Sequence, residues 1–221
     1  MLDLLAFKAT DLPVTNQAIN GNFKDNDGFL ANGYSKNAED VSAIIEEDNQ
    51  LVQRIEKNSE NTRIIFNSRY AQGDKDDEIY VSLYIKTNMN VSNKIQLYRG
   101  EMNDTFSLDK ERWEFLSSVG VRTSPNNVSG YTNVYVTGGT DDEAQTPYAM
   151  FKNHNVVNLT KTFGKGEEPT KNQMDDLIKQ FENNYINGTE NVFNAETLMK
   201  LYFKETKELR NAIISLGGEL P

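Results

Sequence analysis

Residues 62–100 read TRIIFNSRYAQGDKDDEIYVSLYIKTNMNVSNKIQLYRG, and inside them one octet alternates strictly. Ile79, Val81, Leu83 and Ile85 fall on one side of it, and Tyr80, Ser82, Tyr84 and Lys86 on the other. A period of two is that of a half-buried strand. The spacing predicts strands over 62–70, 78–87 and 94–99, the first two joined by the acidic turn Gly73-Asp74-Lys75-Asp76-Asp77-Glu78, whose residue types form turns. One face of this sheet is core, and the other carries rings and cations.

Upstream, residues 1–37 mix Pro13, Gly21, Gly28 and Gly33 with Asn and Asp and show no sustained period, which predicts an irregular arm. Asp25-Asn26-Asp27-Gly28 would place Phe23 and Tyr34 at the first and last ligand positions of a calcium loop, so it reads as a plain turn. Over 38–58, Val41, Ile44, Ile45, Val52 and Ile55 recur at helical spacing, with Glu46, Glu47, Glu56 and Lys57 opposite. An amphipathic helix docked on the sheet is expected there.

Downstream, a short helix is expected over 108–119, capped by Ser107, with Leu108, Phe115, Leu116 and Val119 inward, Trp113 beside them and Gly120 as its stop. Tyr131, Asn133 and Tyr135 alternate along a further strand at 131–136. Segments 148–151 and 156–163 read as a closing hairpin, with the only histidine, His154, exposed in its Asn153-His154-Asn155 turn. A capping box of Thr170 and Gln173 opens a helix that runs to Gly188 with Met174, Leu177, Ile178, Phe181 and Tyr185 inward. A second helix over 194–216 would form an antiparallel pair with it. The expected organisation is an N-terminal arm and helix (1–61), a β-rich core (62–165) and a C-terminal helical appendage (166–221).

Composition excludes several chemistries. The 221 residues contain no cysteine, which removes disulfides, thiol nucleophiles, thiolate zinc sites and iron–sulfur clusters. His154 has no assignable serine or acid partner for a hydrolytic triad. Gly164-Lys165-Gly166 lacks the spacing of a phosphate loop, and the acidic turn at 73–78 is soluble turn chemistry rather than a metal cluster. A non-catalytic protein with no cofactor and no metal is expected. No apolar run approaches the roughly 20 residues of a membrane span, and the start of the chain is unlike a signal peptide, so a cytoplasmic location is expected, in a host cell or a virion.

The net charge of −10 is uneven: −6 over residues 1–61, zero over 62–165 and −4 over 166–221. In the neutral middle, the strand count, the intervening helix and an outward face of rings and cations resemble an OB-fold. The expected class is therefore α+β, an OB-like antiparallel core with an N-terminal helix and a C-terminal helix pair. The resemblance implies a partner, single-stranded nucleic acid, whose bases stack on rings while cations follow the phosphates. The residues expected to bind it are Arg63, Arg69, Tyr80, Tyr84, Lys86, Lys94, Tyr98, Tyr131 and Tyr135. The alternative is a phage-type structural or assembly protein acting through protein contacts or self-association of its C-terminal helices.

Overall fold

Ile79, Val81, Leu83 and Ile85 are all fully buried, as their alternation requires, but the layer packed against them is a second sheet. The computed structural model describes residues 13–18, 21–58, 61–97, 100–101, 103–123, 128–140, 144–186 and 189–191. The chain divides into two units. The first comprises residues 1–14 and 189–221, and its described part is residues 13–14 and 189–191, which belong to β1 (Pro13–Thr15) and β13 (Thr189–Asn191), paired in a two-stranded sheet.

The second unit, residues 15–188, holds the remaining elements. In chain order these are β2 (Tyr34–Ser35), β3 (Val41–Glu47), β4 (Gln50–Glu56), β5 (Arg63–Gly73), β6 (Glu78–Thr87), β7 (Asn90–Leu97), β8 (Gly100–Glu101), β9 (Asn103–Ser107), β10 (Glu114–Arg122), β11 (Val128–Gly139) and β12 (Tyr148–Asn158), then α1 (Leu159–Phe163) and α2 (Lys171–Ile178). They build one sheet of order β3-β4-β12-β6-β10-β8 and another of order β2-β5-β11-β7-β9. Most long strands from β5 onward alternate between the two sheets, a jelly-roll manner of winding that leaves each sheet antiparallel. The inner faces meet in one apolar core, where Phe66 of β5 stacks on Phe151 of β12 with ring centroids 4.3 Å apart.

This architecture corrects the expected OB-like α+β core: the unit is a mostly β, two-sheet sandwich with short helices. The helix expected over 38–58 is the β3–β4 hairpin. Glu47 pairs with Gln50, so Asp48 and Asn49 alone form the loop, with φ of 54° and 60°. A two-residue hairpin turn with both φ positive matches the twist of its strands, and Asp and Asn tolerate that conformation better than most residues. The helix expected over 108–119 is a loop followed by β10, in which buried Leu116 faces the core. Helical spacing of apolar residues was present in both segments, yet pairing with neighbouring strands outweighed that local preference.

The closing hairpin is likewise a single strand. β12 pairs with β6 through Lys152↔Tyr84 and resumes at Asn155↔Ser82, so Asn153 and His154 together oppose Leu83. This is a β-bulge, with Asn153 at φ 54°. It changes which residues face inward: Ala149 and Phe151 enter the core before it, His154 and Val156 after it. Beyond the bulge, Gln17 donates its backbone N–H to the Val156 carbonyl at 2.6 Å, and His154 donates to the Gly21 carbonyl at 3.0 Å. A Cβ on Gly21 would stand 2.1 Å from the His154 carbonyl oxygen, so only glycine permits this approach.

His154 is therefore interior and not an exposed turn residue. Its Nδ1 lies 3.0 Å from the Tyr34 hydroxyl and its Nε2 3.2 Å from Thr132 Oγ1, which in turn is 2.5 Å from Ser68 Oγ. Burial disfavours the imidazolium and pushes the pKa down to about 3.

The capping box of Thr170 and Gln173 opens α2, whose Met174, Leu177 and Ile178 are buried. The helix ends at Ile178, well before the expected Gly188, and Asn183 and Asn184 beyond it adopt φ of 57° and 55°, which no α-helix accommodates. The second expected helix, over 194–216, lies outside the described residues. Among the described residues no helix is long and apolar enough to cross a membrane.

Candidate functional site

The outer face of the six-stranded sheet is divided. At one end α2 lies over it: Tyr80 is fully buried and its hydroxyl donates to Asp175 Oδ1 at 2.8 Å, while Asp175 also takes an ion pair from Lys171 at 2.9 Å. Desolvation and the adjacent carboxylate both push the Tyr80 pKa far up. Toward the other end the strands register Phe115, Tyr84 and Lys152 side by side on β10, β6 and β12. Over this row opens a cleft of about 230 Å³ lined by Gln50, Tyr84, Trp113, Lys152, Asn153, Asn183 and Asn184.

Backbone features build this cleft. The bulge in β12 turns Asn153 outward beside Lys152, where its Nδ2 donates to Gln50 Oε1 at 3.2 Å and to the Asn183 carbonyl at 2.9 Å. Buried Asn155 holds the opposite wall. Its Nδ2 donates to Ser82 Oγ at 3.1 Å and the Asn184 carbonyl at 3.1 Å, and its Oδ1 accepts from the Ile186 N–H at 3.0 Å. Asn16 adds donations to the His154 carbonyl at 3.1 Å and the Ile186 carbonyl at 3.2 Å. Asn184 then donates to the Tyr84 hydroxyl. Left-handed asparagines supply the tight turns and their amides tie those turns down.

The rings and cations of the cleft are packed on one another. Tyr84 and Phe115 lie 5.2 Å apart at a 56° tilt. The Lys152 ammonium stands 4.2 Å from the Trp113 ring centroid and 6.0 Å from that of Tyr84, and Lys86 is 6.0 Å from Trp113. Lys86 is ion-paired to Glu47 at 2.9 Å. Burial, with Lys86 adding to it, lowers the Lys152 pKa, against the opposing pull of Asp48 and Glu47.

The single nucleic-acid surface expected from the sequence does not exist. Tyr80, Tyr84 and Lys86 belong to the six-stranded sheet, where Tyr80 is sealed under α2. Arg63 and Tyr135 belong to the outer face of the five-stranded sheet, with the guanidinium 4.3 Å above the ring. On that same sheet Tyr131 pairs with Arg69 and Lys94 with Tyr135 in backbone register. Tyr98 lies outside the described residues. Alternation within a strand says which side chains share a face of that strand, but not which of two sheets the strand joins. Among the described side chains, Tyr80 and Tyr84 therefore lie on one side of the sandwich and Tyr135 on the other, and the nucleic-acid assignment fails with the OB-like fold. Of the helix pair named in the assembly alternative, the first helix is α2, which covers Tyr80, and the second, over 194–216, is outside the described residues. Among the described residues no cluster of three or more His, Cys, Asp or Glu could hold a metal ion.

Of the cleft residues, only Tyr84 was expected at a binding surface. Lys152 could have been found by pairing 148–158 with 78–87. Gln50, Trp113, Asn153, Asn183 and Asn184 carry no shared sequence signal, beyond the tolerance of asparagine for left-handed backbone.

The fold and the cleft together define an antiparallel β-sandwich with a ring- and amide-lined cleft on one sheet face. No family model matches the chain, and no curated protein matches it. Among solved structures, an arabinose-bound α-L-arabinofuranosidase is similar with a TM-score of 0.53 and 13% identity over 73% of this chain, which spans only 30% of that enzyme. A Stig cyclase from Fischerella sp. TAU aligns at a TM-score of 0.49 and 9% identity, over 66% of this chain and 97% of that one. TmCBM61 in complex with β-1,4-galactotriose aligns at 0.45 and 8%, over 64% of this chain and 97% of that one. At these identities the arabinofuranosidase likeness establishes a shared sandwich fold and no more.

Proposed function

We propose that this chain is a non-catalytic carbohydrate-binding domain whose ligand occupies the cleft between Tyr84, Trp113 and Lys152. The observation that carries the reading is the composition of that cleft: two aromatic rings, four carboxamides and one ammonium on a largely pre-formed wall. A sugar presents an apolar C–H face and a rim of hydroxyls. Rings accept the first, and carboxamides, each able to donate and accept, match the second. The volume, about 230 Å³, is below the roughly 300–1,000 Å³ typical of pockets for drug-sized ligands, so the cleft suits one sugar unit of a chain that continues over the open face. An arabinose-bound arabinofuranosidase has a comparable fold over part of its length; the reading itself rests on the cleft residues. Without cysteine the site would work equally in a reducing cytoplasm and outside a cell.

Trp113 is the only tryptophan, so intrinsic tryptophan fluorescence reports on this cleft alone. Titration with a panel of neutral and acidic oligosaccharides should give a saturable change with at least one class, and calorimetry should show that Trp113→Ala removes the binding. No heat and no fluorescence change with any member of the panel would overturn the proposal.

A further inference from the structure

Building on the cleft as a sugar site, we infer that its ligand carries a carboxylate, as in a hexuronic acid residue, and that this group pairs with the ammonium of Lys152. Three cations lie on the exposed part of this sheet face, and two already have carboxylate partners: Arg54 with Glu56 at 3.0 Å and Lys86 with Glu47 at 2.9 Å. Lys152 is different. Its residue is only 9% exposed, yet among the described residues it has neither an ion-pair partner nor a hydrogen-bond acceptor. Its neighbours are instead the rings of Trp113 and Tyr84.

A cation over a ring recovers part of its lost hydration, but its N–H donors still lack acceptors. The charged groups facing it are Glu47, Asp48 and Lys86. Glu47 is engaged by Lys86, and Asp48 lies in the exposed hairpin turn beyond ion-pair distance, so neither completes the lysine. A ligand carboxylate entering the cleft would meet an ammonium partly withdrawn from water, where a charge-assisted hydrogen bond counts for more than in bulk solvent. The Asn153 amide nitrogen is committed to Gln50 and Asn183, leaving its carbonyl oxygen to accept from a hydroxyl on the same sugar unit.

The test compares an oligogalacturonate with the neutral oligogalactoside of equal length, and an oligoglucuronate with its neutral glucoside, by Trp113 fluorescence on the full chain. In at least one pair the acidic member should bind about 10- to 100-fold more tightly at low salt, and the preference should shrink as salt is raised. Lys152→Met, which keeps the aliphatic stem over Trp113, should erase the preference, and Lys152→Arg should retain most of it. Equal affinities for acidic and neutral sugars would overturn the carboxylate assignment while leaving the sugar site standing. A preference that survives Lys152→Met would overturn the role of Lys152, and no binding by either class would overturn both readings.

Discussion

The interior position of His154 makes acid a selective probe of this fold. In the unfolded chain the imidazole titrates near 6.5, whereas in the folded chain burial holds it neutral down to about 3. Below pH 6.5 the unfolded state therefore binds a proton that the folded state refuses. The contribution to stability is complete above pH 6.5 and is lost as pH falls toward 3. The slope is about 1.4 kcal/mol per pH unit, or about 2.7 kcal/mol by pH 4.5. That is a large part of the roughly 5–15 kcal/mol by which domains are stable.

Carboxylates titrate in the same range, so the informative quantity is the difference between the natural chain and His154→Gln, in which they cancel. At pH 7 the variant should be less stable by about 1–3 kcal/mol, because the Tyr34 hydroxyl and Thr132 lose a well-placed partner. By pH 4.5 that gap should close or reverse. Urea denaturation at pH 7.0, 6.0, 5.0 and 4.5 measures both. Because His154 is the only histidine, its ring proton resonance needs no assignment and should not titrate near 6.5 in the folded protein. Parallel stability curves for the two proteins, or a resonance that titrates with a midpoint near 6.5, would refute the reasoning.

Two further substitutions examine the layers around the site. Tyr80→Phe removes the donor to Asp175 beneath α2 and should cost about 1.5 kcal/mol in urea denaturation; an unchanged midpoint would mean that this bond does not hold the helix down. Asn49→Val places a β-branched residue at φ 60° in the two-residue hairpin turn and should destabilise by about 1–2 kcal/mol, while Asn49→Gly stays within about 0.5 kcal/mol of the natural chain; equal melting temperatures for both variants would count against a tight turn there.

The strands at 63–73 and 78–87 were legible because each buries one face against the core, and that leaves a clean period of two. The opening of α2 was legible because a capping box is a local signal. Segment 38–58 was misread because a hairpin whose turn falls at Asp48 and Asn49 leaves Val41, Ile44, Ile45, Val52 and Ile55 at intervals that a helix would also give. Segment 148–163 was misread for a different reason. The alternation of β12 changes phase at Asn153, and a change of phase looks like a turn when strand partners are unknown. The cleft was nearly invisible, since it gathers residues 50, 84, 113, 152–153 and 183–184, and only strand pairing and the hydrogen bonds of Asn16 and Asn155 bring them together.

β12 accordingly carries two reading frames joined at a single extra residue. Length changes in β-proteins are usually tolerated where strands end, but here the removal of Asn153 in mid-strand would leave a regular ladder, with His154 alone opposite Leu83 and Val156 still facing the core. What would go is the outward side chain at the bulge, and with it the donations to Gln50 and to the Asn183 carbonyl that brace the cleft. The bulge thus adds a residue to the wall of the cleft while the inward-facing frame of the core runs on across it.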